Sequence, residues 1–375
     1  MTKVRLEYGL ITVEQPLPFN LFDEDGRLLL KHGYTFQDQD QLDRLIERGV
    51  FFDEVIDEAP LRQPAAESMH VYSLVGELAC TFENLLDKKT PDYGDVLDIA
   101  GRIQQLCELD SDAALANILL QKAGRYSLRH SFHTAVMTEI LLRSLDRPAE
   151  ARRHAIAGAL TMNACMLELQ DELYSQNTPL TLDQKRAIIA HPQAGCSVLR
   201  EQGIDHPVWL DVVENHHEMI DGSGYAKRLL KDDLSIESQG VSLADRYCAM
   251  VSERKHRAGL LPSIAAKDLL SRQSATIEPA LAAAFIKEVG VYPPGTVVSL
   301  VNGEMAVVVQ RLLNPEQPMV RSLRSSTGFR YSEPPKRITS GTVHAIKEVL
   351  SADKAEDFDL AILWQPVPLH AASDG

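Results

Sequence analysis

The chain has 375 residues, with 53 acidic and 38 basic side chains for a formal charge of −15, and 45% of its residues are hydrophobic. That length suggests two or three domains around a substantial core. The acidic balance argues against broad binding to nucleic acid or anionic lipid. No apolar run approaches the roughly 18–20 residues that cross a bilayer, so no membrane insertion is expected. Cys80, Cys107, Cys165, Cys196 and Cys248 show no CxxC spacing and fit reduced thiols in a cytoplasmic protein.

Residues 1–59 read as a small α+β accessory module. Phe19 to Leu30 has the pattern of a hairpin turning at Asp25-Gly26, a favoured pair for a two-residue turn. Gln39 to Arg48 has helical spacing at Leu42, Leu45 and Ile46, with Gly49 as its stop, and Phe51 to Ile56 reads as a closing strand. Pro60 and Pro64 mark residues 60–67 as a linker.

Residues 68–290 are expected to be helical. Ser68 to Lys88 carries a stripe of Val71, Leu74, Leu78, Phe82, Leu85 and Leu86. The stripe is expected to pack on its own bundle; a seam between two copies, and with it a homodimer, is the alternative. Asp95 to Leu109, Ser111 to Lys122, Tyr126 to Leu145 and Arg153 to Leu169 continue the pattern. Thr181 with Gln184 forms a capping box that opens the helix carrying His191. Pro207 suits the first turn of a helix reaching about Ile220, and Ser242 to Glu253 predicts another short helix. Residues 291–375 read as a β-rich tail. Thr296 to Leu300 and Met305 to Leu312 predict a hairpin across Asn302-Gly303, Phe358 to Leu363 one more strand, and the last dozen residues a loose end. The fold class is therefore mainly α, a helical bundle between a small N-terminal α+β module and a short C-terminal β-hairpin tail.

Chemistry concentrates at Asn215-His216-His217-Glu218, followed by Asp221-Gly222-Ser223-Gly224-Tyr225. Adjacent imidazoles beside a Gly-rich turn read as metal ligands backed by a loop that admits a phosphate. His130, His191 and Asp245 lie on or beside other predicted helices, and facing helices of a bundle can bring such ligands together. Imidazole and carboxylate donors without thiolate suit iron, manganese or zinc. Each histidine taken alone also has a plain reading, as a helix-surface or hydrogen-bonded core residue.

Five islands stand in order between Tyr126 and Arg257: Tyr126-Ser127-Leu128-Arg129-His130-Ser131, Ala159-Leu160-Thr161-Met162-Asn163, His191-Pro192 with Gly195, the His216 to Tyr225 segment, and Leu243-Ala244-Asp245-Arg246-Tyr247. On these islands the region resembles the HD-GYP family, metal-dependent phosphodiesterases of the wider HD superfamily that open cyclic di-GMP. The resemblance implies an HD-type helical bundle with two or three metal ions that hold the scissile phosphate and activate a water. In that arrangement the namesake aspartate bridges the metals and a lysine shortly after it serves the phosphate or leaving group. Arg254 and Arg257 match basic positions that face the dinucleotide phosphates, although an exposed helix end is their alternative.

The chain departs from that pattern. Met162 and Asn163 stand where the family has its His-Asp pair, Met166 where it has the lysine, and Ala226 where a proline follows Gly224-Tyr225. A thioether is a poor ligand for a hard divalent ion. An asparagine can offer an amide oxygen, but it lacks the charge that offsets two cations ~3.5–4 Å apart. A two-metal centre is therefore not expected. In the family's arrangement His191, His216 and His217 belong together and can hold one ion, iron or manganese, with Asn163 or water completing the shell. His130 and Asp245 are left at a crippled second site. His133 is a substitute ligand there or, more plainly, a polar residue on the helix surface. Glu218 and Asp221 either orient the imidazoles or cap the loop.

No intact catalytic set remains on this reading. The leading expectation is an impaired HD-GYP protein in cyclic di-GMP signalling, acting as a nucleotide sensor or as an adaptor for protein partners through its Gly-Ser-Gly-Tyr face. The alternative is a residually active metal-dependent phosphodiesterase for cyclic di-GMP or a related phosphate ester. A helical interaction module that binds neither metal nor nucleotide is the third.

Overall fold

The structure, a computed structural model, describes residues 3–5, 17, 20–24, 26–31, 33–36, 38–47, 49–53, 68–88, 92–254 and 258–368. In the N-terminal module, β1 (Lys3–Arg5), β2 (Leu21–Phe22), β3 (Leu28–Leu30) and β4 (Phe51–Asp53) form an antiparallel sheet in the order β1-β4-β2-β3, with α1 (Gln39–Glu47) preceding β4. Gly26 and Gly49 take left-handed φ values of 82° and 74°, as the turn and the helix stop require. Leu17, Leu21, Phe36, Leu42, Ile46 and Val50 close a small core of their own. The expected linker at 60–67 and the predicted hairpin's Asp25 lie outside the described residues.

After β5 (Ser68–His70) come eleven α-helices among the described residues. They are α2 (Val71–Leu86), α3 (Asp95–Leu109), α4 (Ser111–Leu120), α5 (Tyr126–Ser144), α6 (Ala149–Thr161), α7 (Leu167–Ser175), α8 (Leu182–Glu201), α9 (Pro207–Asn215), α10 (Ile236–Val251), α11 (Pro262–Arg272) and α12 (Pro279–Val289). Side-chain oxygens satisfy the free N–H groups at several helix starts. Asp110 accepts from Asp112 and Ala113 at α4, Ser235 accepts from Ser238 at α10, and Thr181 with Gln184 closes a complete capping box at α8. The α2 stripe packs into the main core, as the bundle reading requires. α5 is buried on nearly all sides, so its polar residues lie inside the bundle. His133 is 3% exposed, which corrects its reading as a surface residue.

Three helix boundaries differ from the periodic pattern, and each difference shapes the site. α6 stops at Thr161 rather than near Leu169, and residues 162–166 form turns before α7. α9 stops at Asn215 rather than near Ile220, which turns His216 and His217 out of the helix. α10 starts at Ile236, earlier than Ser242, because Ser235 caps it. α6 and α9 meet closely. A Cβ on Gly158 would lie 2.5 Å from Val212 Cγ1, so only glycine allows the contact, and Trp209 Nε1 donates to Thr161 Oγ1 at 2.8 Å.

The C-terminal region exceeds the expected hairpin. β6 (Val297–Leu300), β7 (Met305–Gln310), β8 (Met319–Arg324), β9 (Lys336–Ile338) and β10 (Ile346–Val349) form an antiparallel sheet in the order β10-β6-β7-β8-β9. The predicted β6–β7 hairpin is present, with Gly303 at φ 90°. Both faces of the sheet are covered. Val297, Val307, Val309 and Leu323 join the helical core, whereas Val298, Leu300, Ala306, Val308 and Val320 form a second cluster. That double burial explains unbroken valine runs where a half-exposed strand would alternate.

Phe358 to Leu363 is not a strand but a turn segment ending in a short 3-10 helix, Ala361–Leu363. Of the expected loose end, residues 364–368 are ordered, and 369–375 lie outside the described residues. β11 (Pro366–Pro368) pairs with β5, and Trp364 stacks on Tyr72 with ring centroids 5.0 Å apart. Two prolines in three residues conceal such a strand, because pairing with a distant segment, not local propensity, forms it. Among the described residues, no helix is long and apolar enough to cross a membrane, and the five cysteines are free thiols.

Candidate metal centre

The imidazole trio is oriented by carbonyls that the local sequence leaves without helical partners. Pro192 sits inside α8 and has no N–H to give the carbonyl of Ile188, four residues back. His191 Nδ1 donates to that carbonyl at 2.6 Å. The end of α9 leaves the Val213 carbonyl free in the same way, and His216 Nδ1 donates to it at 2.9 Å. Both Nδ1 atoms therefore carry hydrogen, and both Nε2 atoms present lone pairs. Those two Nε2 atoms face each other at 3.1 Å, and one ligand atom from each of His191, His216 and His217 lies within 4.8 Å of the others.

Two lone pairs facing across that gap repel unless a proton or a cation lies between them. Protons are disfavoured there. Burial, and then the charge of His216, pushes His191 down to about 3. Burial likewise lowers His216 and His217, although Asp245 opposes both shifts. A buried cluster of neutral imidazoles with converging lone pairs fits one divalent cation.

The other two predicted ligands pair with each other. His130 Nε2 lies 2.7 Å from Asp245 Oδ1 in a buried contact, and His217 Nδ1 lies 3.8 Å from Asp245 Oδ2. Burial alone would raise Asp245. The hydrogen bond from His130 and the charges of His130, His217 and His216 instead hold it far below the usual carboxylate range. His130 Nδ1 is buried without a hydrogen-bond partner, and the ring stacks on Tyr126 at 5.6 Å. Tyr126 in turn stacks on Tyr174 at 4.5 Å. That aromatic platform was missed in the sequence; the four-residue step from Tyr126 to His130 was its one signal.

Met162 and Asn163 open the turn between α6 and α7, which lies against the His191 segment. Cys165 Sγ donates to the His191 carbonyl at 3.2 Å, and a Cβ on Gly195 would stand 3.7 Å from the Met162 carbonyl. Met162 is fully buried within the apolar core, Asn163 is buried, and Met166 is half-buried at the start of α7.

Glu218 does not orient an imidazole. Its carboxylate accepts from the backbone N–H groups of Lys227, Arg228 and Leu229 at 2.6, 3.1 and 2.9 Å, which ties down the loop after Tyr225. Asp221 accepts from Ser223 N–H and Oγ, a turn contact of the same kind. Gly224 is required for packing, since a Cβ there would lie 2.5 Å from Glu218 Cα and 2.6 Å from the His217 carbonyl oxygen. Tyr225 stacks on His217 with centroids 4.6 Å apart, so its ring lies over one side of the trio. Arg254 is exposed beyond α10, and its charge acts on Tyr126; Arg257 lies outside the described residues.

A helical bundle whose interior gathers four histidines and an aspartate, candidate metal ligands, from α5, α8, the end of α9 and α10 has the architecture of the HD type. Residues 113–281 match the family model described as the HD domain, and this region of the chain is an HD domain homologous to HD-GYP cyclic di-GMP phosphodiesterases. It is similar to the cyclic di-GMP phosphodiesterase PA4108 of Pseudomonas aeruginosa, 26% identical over 238 residues that cover 62% of this chain and 57% of that protein. Over 53% of this chain and 52% of the relative, it is 20% identical to the cyclic di-GMP phosphodiesterase PdeB of Borreliella burgdorferi. The 3′3′-cGAMP-specific phosphodiesterase 3 of Vibrio cholerae is 24% identical over 52% of this chain and 45% of its own length. The chain thus spans about half the length of the curated relatives it matches. The fold is shared with Bd1817, an HDG"Y"P protein from Bdellovibrio bacteriovorus, at a TM-score of 0.51 and 15% identity, covering 76% of this chain and 99% of that one.

Proposed function

We propose that this chain works in cyclic di-GMP signalling as an HD-GYP protein whose centre retains one divalent ion and has lost hydrolysis. It would serve as a sensor of the dinucleotide or as an adaptor for protein partners. The observation that carries this reading is the neutral Met162-Asn163 pair at the turn packed on His191, where the family places an imidazole and a bridging carboxylate. A second cation close to the first needs an anion between them, and an amide supplies none. The pairing of His130 Nε2 with Asp245 supports the same reading, because it engages both residues without a second ion. The ion on His191, His216 and His217 is iron or manganese by analogy with the family, and it would supply Lewis-acid character to a bound phosphate oxygen.

The test joins metal analysis, calorimetry with cyclic di-GMP and a hydrolysis assay in Mn²⁺ or Fe²⁺. One ion per chain, saturable binding and no turnover above metal alone are expected. Turnover at rates well above metal alone would replace this reading with the residual phosphodiesterase, which the intact imidazole trio favours. Absence of both metal and nucleotide binding would leave only a helical interaction module.

The Pro192 carbonyl trap makes a separate prediction. Pro192→Ala gives α8 an N–H that competes with His191 Nδ1 for the Ile188 carbonyl. The helix should gain stability while metal affinity falls about 10–100-fold, as expected when a ligand's orienting partner is lost. Competition against a chelator measures this, and unchanged affinity would show that the carbonyl does not orient the ligand.

A further inference from the structure

α6 and α9 each contribute at both ends. The turn after α6 packs on the His191 segment and the end of α9 places His216 in the trio, and a second cluster lies at their starts. Glu150 and His154, one turn apart on α6, face His206, which directly precedes α9. One ligand atom from each of the three lies within 4.8 Å of the others. The two imidazoles stack with centroids 3.3 Å apart and planes 10° from parallel, so sharing one ion requires the half-buried His206 ring to turn out of the stack until the two ring planes meet.

Their hydrogen bonding leaves donors for an ion. His154 Nδ1 donates to the Glu150 carbonyl at 3.0 Å, so Nε2 of this buried ring carries the lone pair. His206 Nδ1 is buried with no hydrogen-bond partner. A buried ring nitrogen without a partner calls for an explanation, and stacking on another imidazole supplies none. The adjacent carboxylate of Glu150 is exposed and can swing onto an ion at little cost.

We propose that Glu150, His154 and His206 form a second metal site that takes a borderline divalent cation of the Zn²⁺ class. Two imidazoles and one carboxylate are donors of that class, whereas Ca²⁺ and Mg²⁺ prefer sets built from oxygen alone. Two helix N-termini at the site oppose a cation through their dipoles. The charges of Glu150 and Asp205, both of which act on His206, offset that opposition. Along α6 the two ligands lie about 12–18 Å from Met162, at 1.5 Å per residue, so the site is separate from the central trio. Bound there, the ion clips the start of α9 to the start of α6, the two helices whose far ends lead into Asn163 and His216. Three protein ligands leave one position open at the surface for water or for a side chain of another protein.

The full-length chain is titrated with Zn²⁺ at pH 7.5 while long-range ¹⁵N–¹H spectra follow the imidazoles and metal analysis counts bound ions. His154 Nε2 and His206 Nδ1 should shift together on binding. His206→Ala should lose one equivalent while the central trio keeps its own ion. Glu150→Gln, a change at an exposed residue that leaves folding intact, should weaken this site at least about tenfold. The proposal is overturned if those two resonances stay in place, or if both variants bind as many Zn²⁺ ions as the parent with the same affinity. Loss of the ion at the central trio alone would leave these readouts unchanged, so the two sites fail separately.

Discussion

The variant carrying Met162→His, Asn163→Asp and Met166→Lys together should hydrolyse cyclic di-GMP in Mn²⁺ or Fe²⁺ at least on the order of 10²–10³-fold faster than the parent chain, the size expected when one electrostatic contributor to a transition state is restored. The remainder of the centre favours this outcome. Three imidazoles already converge, the tautomers of His191 and His216 set by the Ile188 and Val213 carbonyls, and Asp245 and His130 lie directly beside them. On the proposed reading, what is missing is an anion between two cations and a cation near the leaving group. The aspartate restores the first and the lysine the second.

The restored histidine carries a cost. Position 162 is fully buried in the apolar core, and a polar ring placed there without a partner costs about 1–3 kcal/mol. Stability and metal count must therefore be measured beside turnover. Two bound ions, a folded chain and recovered hydrolysis are expected. A parent already as fast as the variant would remove the impaired-centre reading. A folded, two-metal variant without turnover would show that the rest of the pocket is not built for the reaction.

Metal-free protein should lose stability steeply as the pH falls below about 6.5. Burial lowers His133 to about 3, helped by the charges of Arg129 and His130, and burial with the charge of His216 lowers His191 to about 3. In the unfolded chain both would titrate near 6.5. Between these values the unfolded chain binds more protons than the folded one, so protonation favours unfolding. The stability is complete above pH 6.5 and drains away as acid approaches the folded values. Each of the two groups costs about 2 kcal/mol between pH 7.5 and 5, at 1.36 kcal/mol per unit. His216 and His217 shift in the same direction and steepen the loss.

An ion on the trio should make the profile shallower until acid displaces it, because a liganded imidazole cannot take a proton. His133 lies outside the trio. His133→Gln should therefore flatten the profile by about 2 kcal/mol over the same interval with or without metal. Urea midpoints at pH 7.5, 6 and 5, with and without chelator, measure both effects. A metal-free chain equally stable across that range would show that these imidazoles are not held neutral by burial.

Much of the fold was legible locally. The capping box at Thr181 and Gln184, the helix stop at Gly49 and the Asn302-Gly303 hairpin each depend on a few neighbouring residues, and each is present. The errors occurred where a distant partner decides. α6 could have run on to Leu169 on pattern alone, but its end is folded against α8 through Cys165 and the His191 carbonyl. β11 contains two prolines and exists because β5 lies beside it. Glu218 invited two readings, and only the folded loop shows its carboxylate committed to three backbone N–H groups.

By itself the sequence determined the helical character of the middle of the chain, the identities of the imidazoles and the absence of a carboxylate at position 163. These follow from periodicity and residue type, which need no partner. Tertiary structure alone decided that His130 turns to Asp245, that His133 is buried rather than exposed, and that His154 meets His206 at the far ends of α6 and α9. The reason is sequence separation. Residues that lie 52, 115 or nearly 300 positions apart carry no mark of each other in local pattern, and packing of the apolar faces brings them within reach.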